Sequence, residues 1–128
     1  MLNLRRPLVV FDLETTGVSV THDRIVEICL LKVFPDMREE IRTYRINPGI
    51  PIPAGATAVH GISNADVADK PSFKEMSKEL YTYLQDCDFG GFNSNKFDFP
   101  MLVEEFFRAG VEFDVRGCKF IDAQRIYH

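Results

Sequence analysis

The stretch LVVFDLETTG, residues 8–17, runs through apolar positions into Asp12, and Glu14 follows two residues later. A short run of Leu, Val and Phe bounded by turn residues reads as a buried strand. Side chains alternate along a strand, so Asp12 and Glu14 share one face while Phe11 and Leu13 take the other. Two like charges side by side repel unless a cation lies between them or one is protonated. Oxygen ligands of this kind suit Mg²⁺ or Mn²⁺, which keep waters of their own and bind substrate phosphates as well. A D-x-E pair alone is a short pattern that also fits acids entering a loop, so its neighbours must decide.

Working outward, the strand expected over residues 7–13 ends in the turn-rich ETTGVSVTHD. RIVEICLLKVF, residues 24–34, reads as a second strand, and PDMREE links it to a third, IRTYRI, residues 41–46. Links this short favour antiparallel neighbours. NPGIPIPAGA, residues 47–56, is rich in Pro and Gly and reads as a loop. In SFKEMSKELYTYLQD, Ser72 and Glu75 form a capping box, and Phe73, Met76, Leu80 and Leu84 line one helix face. DFGGFN reads as a short strand whose glycines let another backbone or a ligand come close. KFDFPMLVEEFFRAG predicts a second helix, with Phe99, Leu102, Val103 and Phe106 on one face and Gly110 closing it. Pro100 fits only in a first turn, which puts the helix start near Phe97. KFIDA is the last strand expected.

The fold class is therefore α/β: a mixed sheet in which a three-strand antiparallel meander is extended by parallel strands, with flanking helices. Sites in such sheets gather beyond the carboxyl ends of the parallel strands. Asp12, Glu14 and Asp98 are all expected near that edge. Asp98 falls in the first turn of its helix, where the dipole favours an anion.

The chain's 128 residues suit one domain, 1–128. A net charge of −4 argues against a surface that attracts phosphate everywhere, but not against a local site where metal ions supply the positive charge. Cys29, Cys87 and Cys118 are far apart and form no zinc pattern, so reduced thiols in a cytoplasmic protein are expected. No apolar run approaches a membrane span, and no membrane partner is expected.

Two further segments join the first. ATAVHGIS puts His60 beside Gly61, in an expected loop ahead of a short helix at Ser63, and GFNSNKFDFPML carries Asn93 and Asp98. With FDLETTG, these segments resemble the motifs of the DEDD-type 3′–5′ exonuclease family, which includes the proofreading epsilon subunit of bacterial DNA polymerase III. The order and spacing agree over nearly the whole chain. The resemblance implies a ribonuclease-H-like fold and two-metal hydrolysis of a 3′-terminal phosphodiester, with Mg²⁺ or Mn²⁺ ions about 4 Å apart. By that similarity Asp12 bridges both ions, Glu14 binds the one holding the attacking water, and Asp98 supports the other. Thr15, Thr16 and Gly17 lie against the terminal nucleotide, Val59 and His60 pack on its sugar and base, and Asn93 joins the nucleotide contacts. The implied partners are single-stranded DNA 3′ ends, with RNA still open, and a DNA polymerase.

The family's third motif, a histidine general base followed by an aspartate ligand, has no match before His128. His22 and His60 lie in other segments. On the resemblance, the chain is expected to be the front portion of a longer exonuclease domain and to be inactive alone. Two rivals remain. An aspartyl phosphatase of the haloacid-dehalogenase type shares D-x-x-x-T wording, but wants a second Asp where Glu14 stands and has no use for VHGIS. A non-catalytic binding module of the same fold fits the missing base.

Overall fold

β1 (Leu8–Thr15) lies at the middle of a five-stranded sheet of order β3-β2-β1-β4-β5. The computed structural model describes residues 4–91, 97–114 and 117–122, with backbone only at 91 and 120–122. β2 (Ile25–Val33) pairs antiparallel with β1, and β3 (Glu39–Arg45) pairs antiparallel with β2. On the other side β4 (Asp88–Gly91) pairs parallel with β1, and β5 (Phe120–Asp122) parallel with β4. The expected meander with parallel additions is thus present.

Among the described residues four helices flank the sheet: α1 (Ala54–His60), α2 (Asn64–Val67), α3 (Phe73–Leu84) and α4 (Asp98–Arg108). α3 starts at the expected capping box, in which Ser72 Oγ accepts from Glu75 N–H at 3.1 Å and Glu75 Oε1 accepts from Ser72 N–H at 3.0 Å. Val9, Phe11 and Leu13 of β1 share a core with Met76, Leu80 and Leu84 of α3 and Met101, Leu102 and Phe106 of α4. Aromatic rings tie α4 to the sheet: Phe99 lies 6.3 Å from Phe11 and 5.6 Å from Phe89, and Phe106 stacks on Phe113 at 4.6 Å. Offset and edge-on ring pairs add to the area they bury.

Three expectations need correction. β1 continues to Thr15, so both carboxylates stand inside the strand, with a register irregularity between Glu14 and Thr15. Residues 54–56 are helical rather than loop, because Pro53 takes the position before the first turn and its carbonyl accepts from Ala56 and Thr57 N–H at 3.0 and 3.1 Å. His60 accordingly ends a helix, and Gly61 closes it with φ of 78°, a left-handed conformation that glycine adopts without strain. The helix at Ser63 is present, with its own capping box to Asp66. On α4 the buried set is Asp98, Met101, Leu102, Glu105 and Phe106, so two acids face inward where only apolar residues were expected. Among the described residues no helix is long and apolar enough to cross a membrane. Cys29, Cys87 and Cys118 are free thiols, and Cys87 is buried.

Candidate active site

Alternation along β1 sets the site. Phe11 and Leu13 point into the core, and Asp12 is exposed on the opposite face with Glu14 half-buried two residues on. Across the strand pair Asp12 meets Cys29 and Glu14 meets Glu27, and Glu27 is in turn bonded by Arg45 of β3 at 3.1 Å. Burial first, and then the Asp12 charge, lift the Glu14 carboxyl above its usual value; His60 pulls it back and Glu27 adds to the rise. A carboxyl lifted in part by a neighbouring carboxylate marks a site short of positive charge.

Beside them a cleft of about 190 Å³ is lined by Glu14, Thr15, Gly17, Val18, Val59 and His60. Val18 and Val59 are 87% and 85% exposed, which makes them two apolar side chains standing free at the cleft mouth. His60 reaches across from α1: its Nδ1 accepts from Ile62 N–H at 3.1 Å and its Nε2 lies 3.1 Å from the Thr15 carbonyl. An Nδ1 that accepts leaves the proton on Nε2, which then donates to Thr15. With both ring nitrogens engaged, His60 braces the cleft.

Thr15 Oγ1 donates to the Gly17 carbonyl at 2.6 Å, and Thr16 is buried at 2% exposure with its hydroxyl turned to Asp23 at 2.8 Å. Gly17 therefore sits in a tightly turned segment between Thr15 and Ser19. Of the expected nucleotide contacts, Thr15, Gly17, Val59 and His60 share this cleft, while Thr16 turns away from it to hold the turn. Asn93 lies outside the described residues.

Asp98 behaves differently. It stands in the first turn of α4, which packs over the Phe11 side of β1, and is only 5% exposed. Among the described residues no group of three His, Cys, Asp or Glu side chains stands close enough to hold a metal ion. The structure brings Asp12 and Glu14 together on one face of β1.

Sequence reasoning passed over Glu105, Arg108 and Asp23. Glu105 Oε2 accepts from the Ile25 N–H at 2.9 Å, and its Oε1 accepts from Arg108 at 3.0 Å. Arg108 also donates to the Thr21 and Asp23 carbonyls at 3.3 and 3.2 Å. These bonds span some eighty residues, and the only sequence trace is an acid and a base three apart on an otherwise apolar helix face.

The family model described as Exonuclease (RNase T) matches residues 9–124. The chain belongs to the exonuclease family. It is 37% identical over 109 residues to a DNA polymerase III subunit epsilon-like protein of Rhodobacter capsulatus, covering 83% of this chain and 15% of that protein. The DNA polymerase III subunit epsilon of Buchnera aphidicola subsp. Schizaphis graminum is 30% identical over 134 residues, 98% of this chain and 57% of that protein. The chain thus spans between about a seventh and three fifths of the length of these relatives. The fold matches that of E. coli exonuclease I in complex with a dT13 oligonucleotide, with a TM-score of 0.81 at 15% identity over 96% of this chain and 29% of that one. The ribonuclease-H-like exonuclease fold follows.

Proposed function

We propose that this exonuclease-family chain removes nucleotides from the 3′ end of DNA with the help of divalent cations, in proofreading or repair. The observation that carries the reading is the pair Asp12 and Glu14, side by side on one strand face at the edge of a cleft lined by Thr15, Gly17, Val59 and His60. The donors are all oxygen and too negative for their number, which fits Mg²⁺ or Mn²⁺. Asp12 and Glu14 would hold the ions, with Asp98 contributing a third carboxylate from the start of α4. Bound there, two such ions would polarise the phosphodiester and lower the pKa of an attacking water.

The chain's own residues do the rest. The turn at Gly17 brings backbone close to the terminal nucleotide, and Val18 and Val59 give its base apolar surfaces to lie against. His60 fixes the Thr15 carbonyl beside the sugar. A terminal nucleotide held this way is oriented before reaction, which is where much of the rate gain of a positioned site comes from. The engaged His60 ring favours one second reading: with that imidazole taken up by Thr15 and Ile62, residues 1–128 alone would bind DNA ends and cleave them slowly. Loss of general-base help typically lowers rate by about 10² to 10⁴.

The test uses single-stranded DNA labelled at its 5′ end, incubated with Mn²⁺ and either this chain or the chain extended by an H-x-x-x-x-D segment. A ladder shortened one nucleotide at a time from the 3′ end, faster in the extended protein and abolished by Asp12→Ala, is the expected result. Cleavage unchanged by Asp12→Ala, or internal cuts, would refute the reading. RNA in place of DNA distinguishes the sugar preference, since the 2′-OH is the feature a site can read.

A further inference from the structure

Asp23 belongs to none of the motifs, yet its carboxylate is the hub of the turn that lines the cleft. Thr16 Oγ1 donates to Asp23 Oδ1 at 2.8 Å, and the Ser19 N–H donates to Asp23 Oδ2 at 2.8 Å. The Asp23 N–H closes the turn on the Ser19 carbonyl at 2.8 Å. Thr16 is held twice more: its N–H donates to the Arg24 carbonyl at 2.9 Å, and its hydroxyl accepts from the Arg24 N–H at 3.0 Å. A Cβ at Gly17 would stand 2.5 Å from Asp23 Oδ2, closer than real contacts allow. The carboxylate therefore fills the space that a side chain at position 17 would need. Behind the turn, Arg108 holds the Asp23 carbonyl at 3.2 Å and is itself bonded to Glu105.

We propose that Asp23 is a positioning residue of the nucleotide cleft, holding Thr16 and Gly17 so that the Thr15–Gly17 backbone meets a terminal nucleotide at a fixed distance. The inference rests on the reading of that cleft as the nucleotide site. A carboxylate suits the task because both oxygens accept, and bonds to an ionised acceptor are short and strong. An amide at position 23 offers one accepting oxygen. If that oxygen keeps the Ser19 N–H, the Thr16 hydroxyl hydrogen loses its acceptor and the turn loosens at Gly17.

The test titrates Mn²⁺, and then thymidine 5′-monophosphate in saturating Mn²⁺, into the wild-type chain, Asp23→Asn and Asp23→Ala by calorimetry. Asp23→Asn changes no volume and keeps the assay interpretable if Asp23→Ala fails to fold. Ser72→Ala, which removes the α3 cap far along the chain, is the control for lost stability alone. The expected result is nucleotide affinity about tenfold weaker in Asp23→Ala, an intermediate loss in Asp23→Asn and none in Ser72→Ala, because small misplacements of a positioning element cost affinity steeply. Mn²⁺ affinity should stay unchanged in all, since Asp12 and Glu14 are untouched. Wild-type nucleotide affinity in a folded Asp23→Asn protein would overturn the proposal. A wild-type chain that binds Mn²⁺ but not the nucleotide would instead defeat the reading of the cleft, and the proposal with it.

Discussion

At the scale of single residues, the site is governed by Glu14. Its folded-state carboxyl is lifted above the ordinary 4.5 by burial and then by Asp12, so the metal-free fold takes up a proton there more readily than the unfolded chain does. Glu14 therefore favours the fold below pH 4.5, and that contribution is lost as pH rises through the lifted value. At neutral pH the ionised pair costs stability. Asp12→Asn should raise the metal-free melting temperature at pH 7 by about 1–3 °C in thermal unfolding. The same substitution should weaken Mn²⁺ binding about tenfold or more, since outer-shell changes at metal sites already reach that size. A variant no more stable than wild type without metal would show that the two carboxylates do not repel. Protons and cations compete for Glu14, so Mn²⁺ affinity should fall as pH drops through the lifted pKa. An affinity flat from pH 7 to pH 4 in calorimetry would remove Glu14 from the ligand set.

At the scale of elements, α4 is fastened to β2 by one buried acid. Glu105 is 5% exposed and satisfies the Ile25 N–H at the start of β2. Glu105→Ala strands that N–H and releases Arg108, and should cost about 1–3 kcal/mol in urea unfolding. Ser72→Ala, at the exposed cap of α3, should cost about 1 kcal/mol. If the two costs were equal, the buried bond would have no more weight than a surface cap. Elements also show what a sequence lets one read. The α3 cap was legible because Ser72 and Glu75 sit three residues apart, within one turn. The carboxylate face of β1 was legible because alternation is a local rule. The start of α1 was hidden by Pro53 and Gly55, which read as loop until the Pro53 carbonyl is seen receiving the first helical bonds. Glu105 and Asp23 were hidden because their meaning lies in partners: Ile25, eighty residues away, and a turn whose closure no periodicity records.

At the scale of the whole molecule, a net charge of −4 and a carboxylate pair at the cleft both oppose a polyanion. On the proposed function, binding to DNA ends depends on divalent cations far more than on monovalent salt, the reverse of a basic protein that coats phosphates. Chelation should abolish binding of single-stranded DNA in fluorescence anisotropy, and binding that survives chelation would mean that another surface holds the strand. The fold positions the parts for this: β1 carries Asp12 and Glu14 out of the core, the α1 segment brings His60 and Val59 to the cleft, and the ring contacts of Phe99 fix the start of α4 beside Phe11. Asp98, at the start of that helix, is buried. The decisive measurement is a crystal structure grown with saturating Mg²⁺ and thymidine 5′-monophosphate. The account predicts an ion bound by Asp12 and Glu14 at about 2.0–2.1 Å, with the Asp98 carboxylate joined to the same cluster and the nucleotide between Gly17 and Val59. An empty Asp12–Glu14 face under those conditions, or an ion held there without the Asp98 carboxylate, would contradict it.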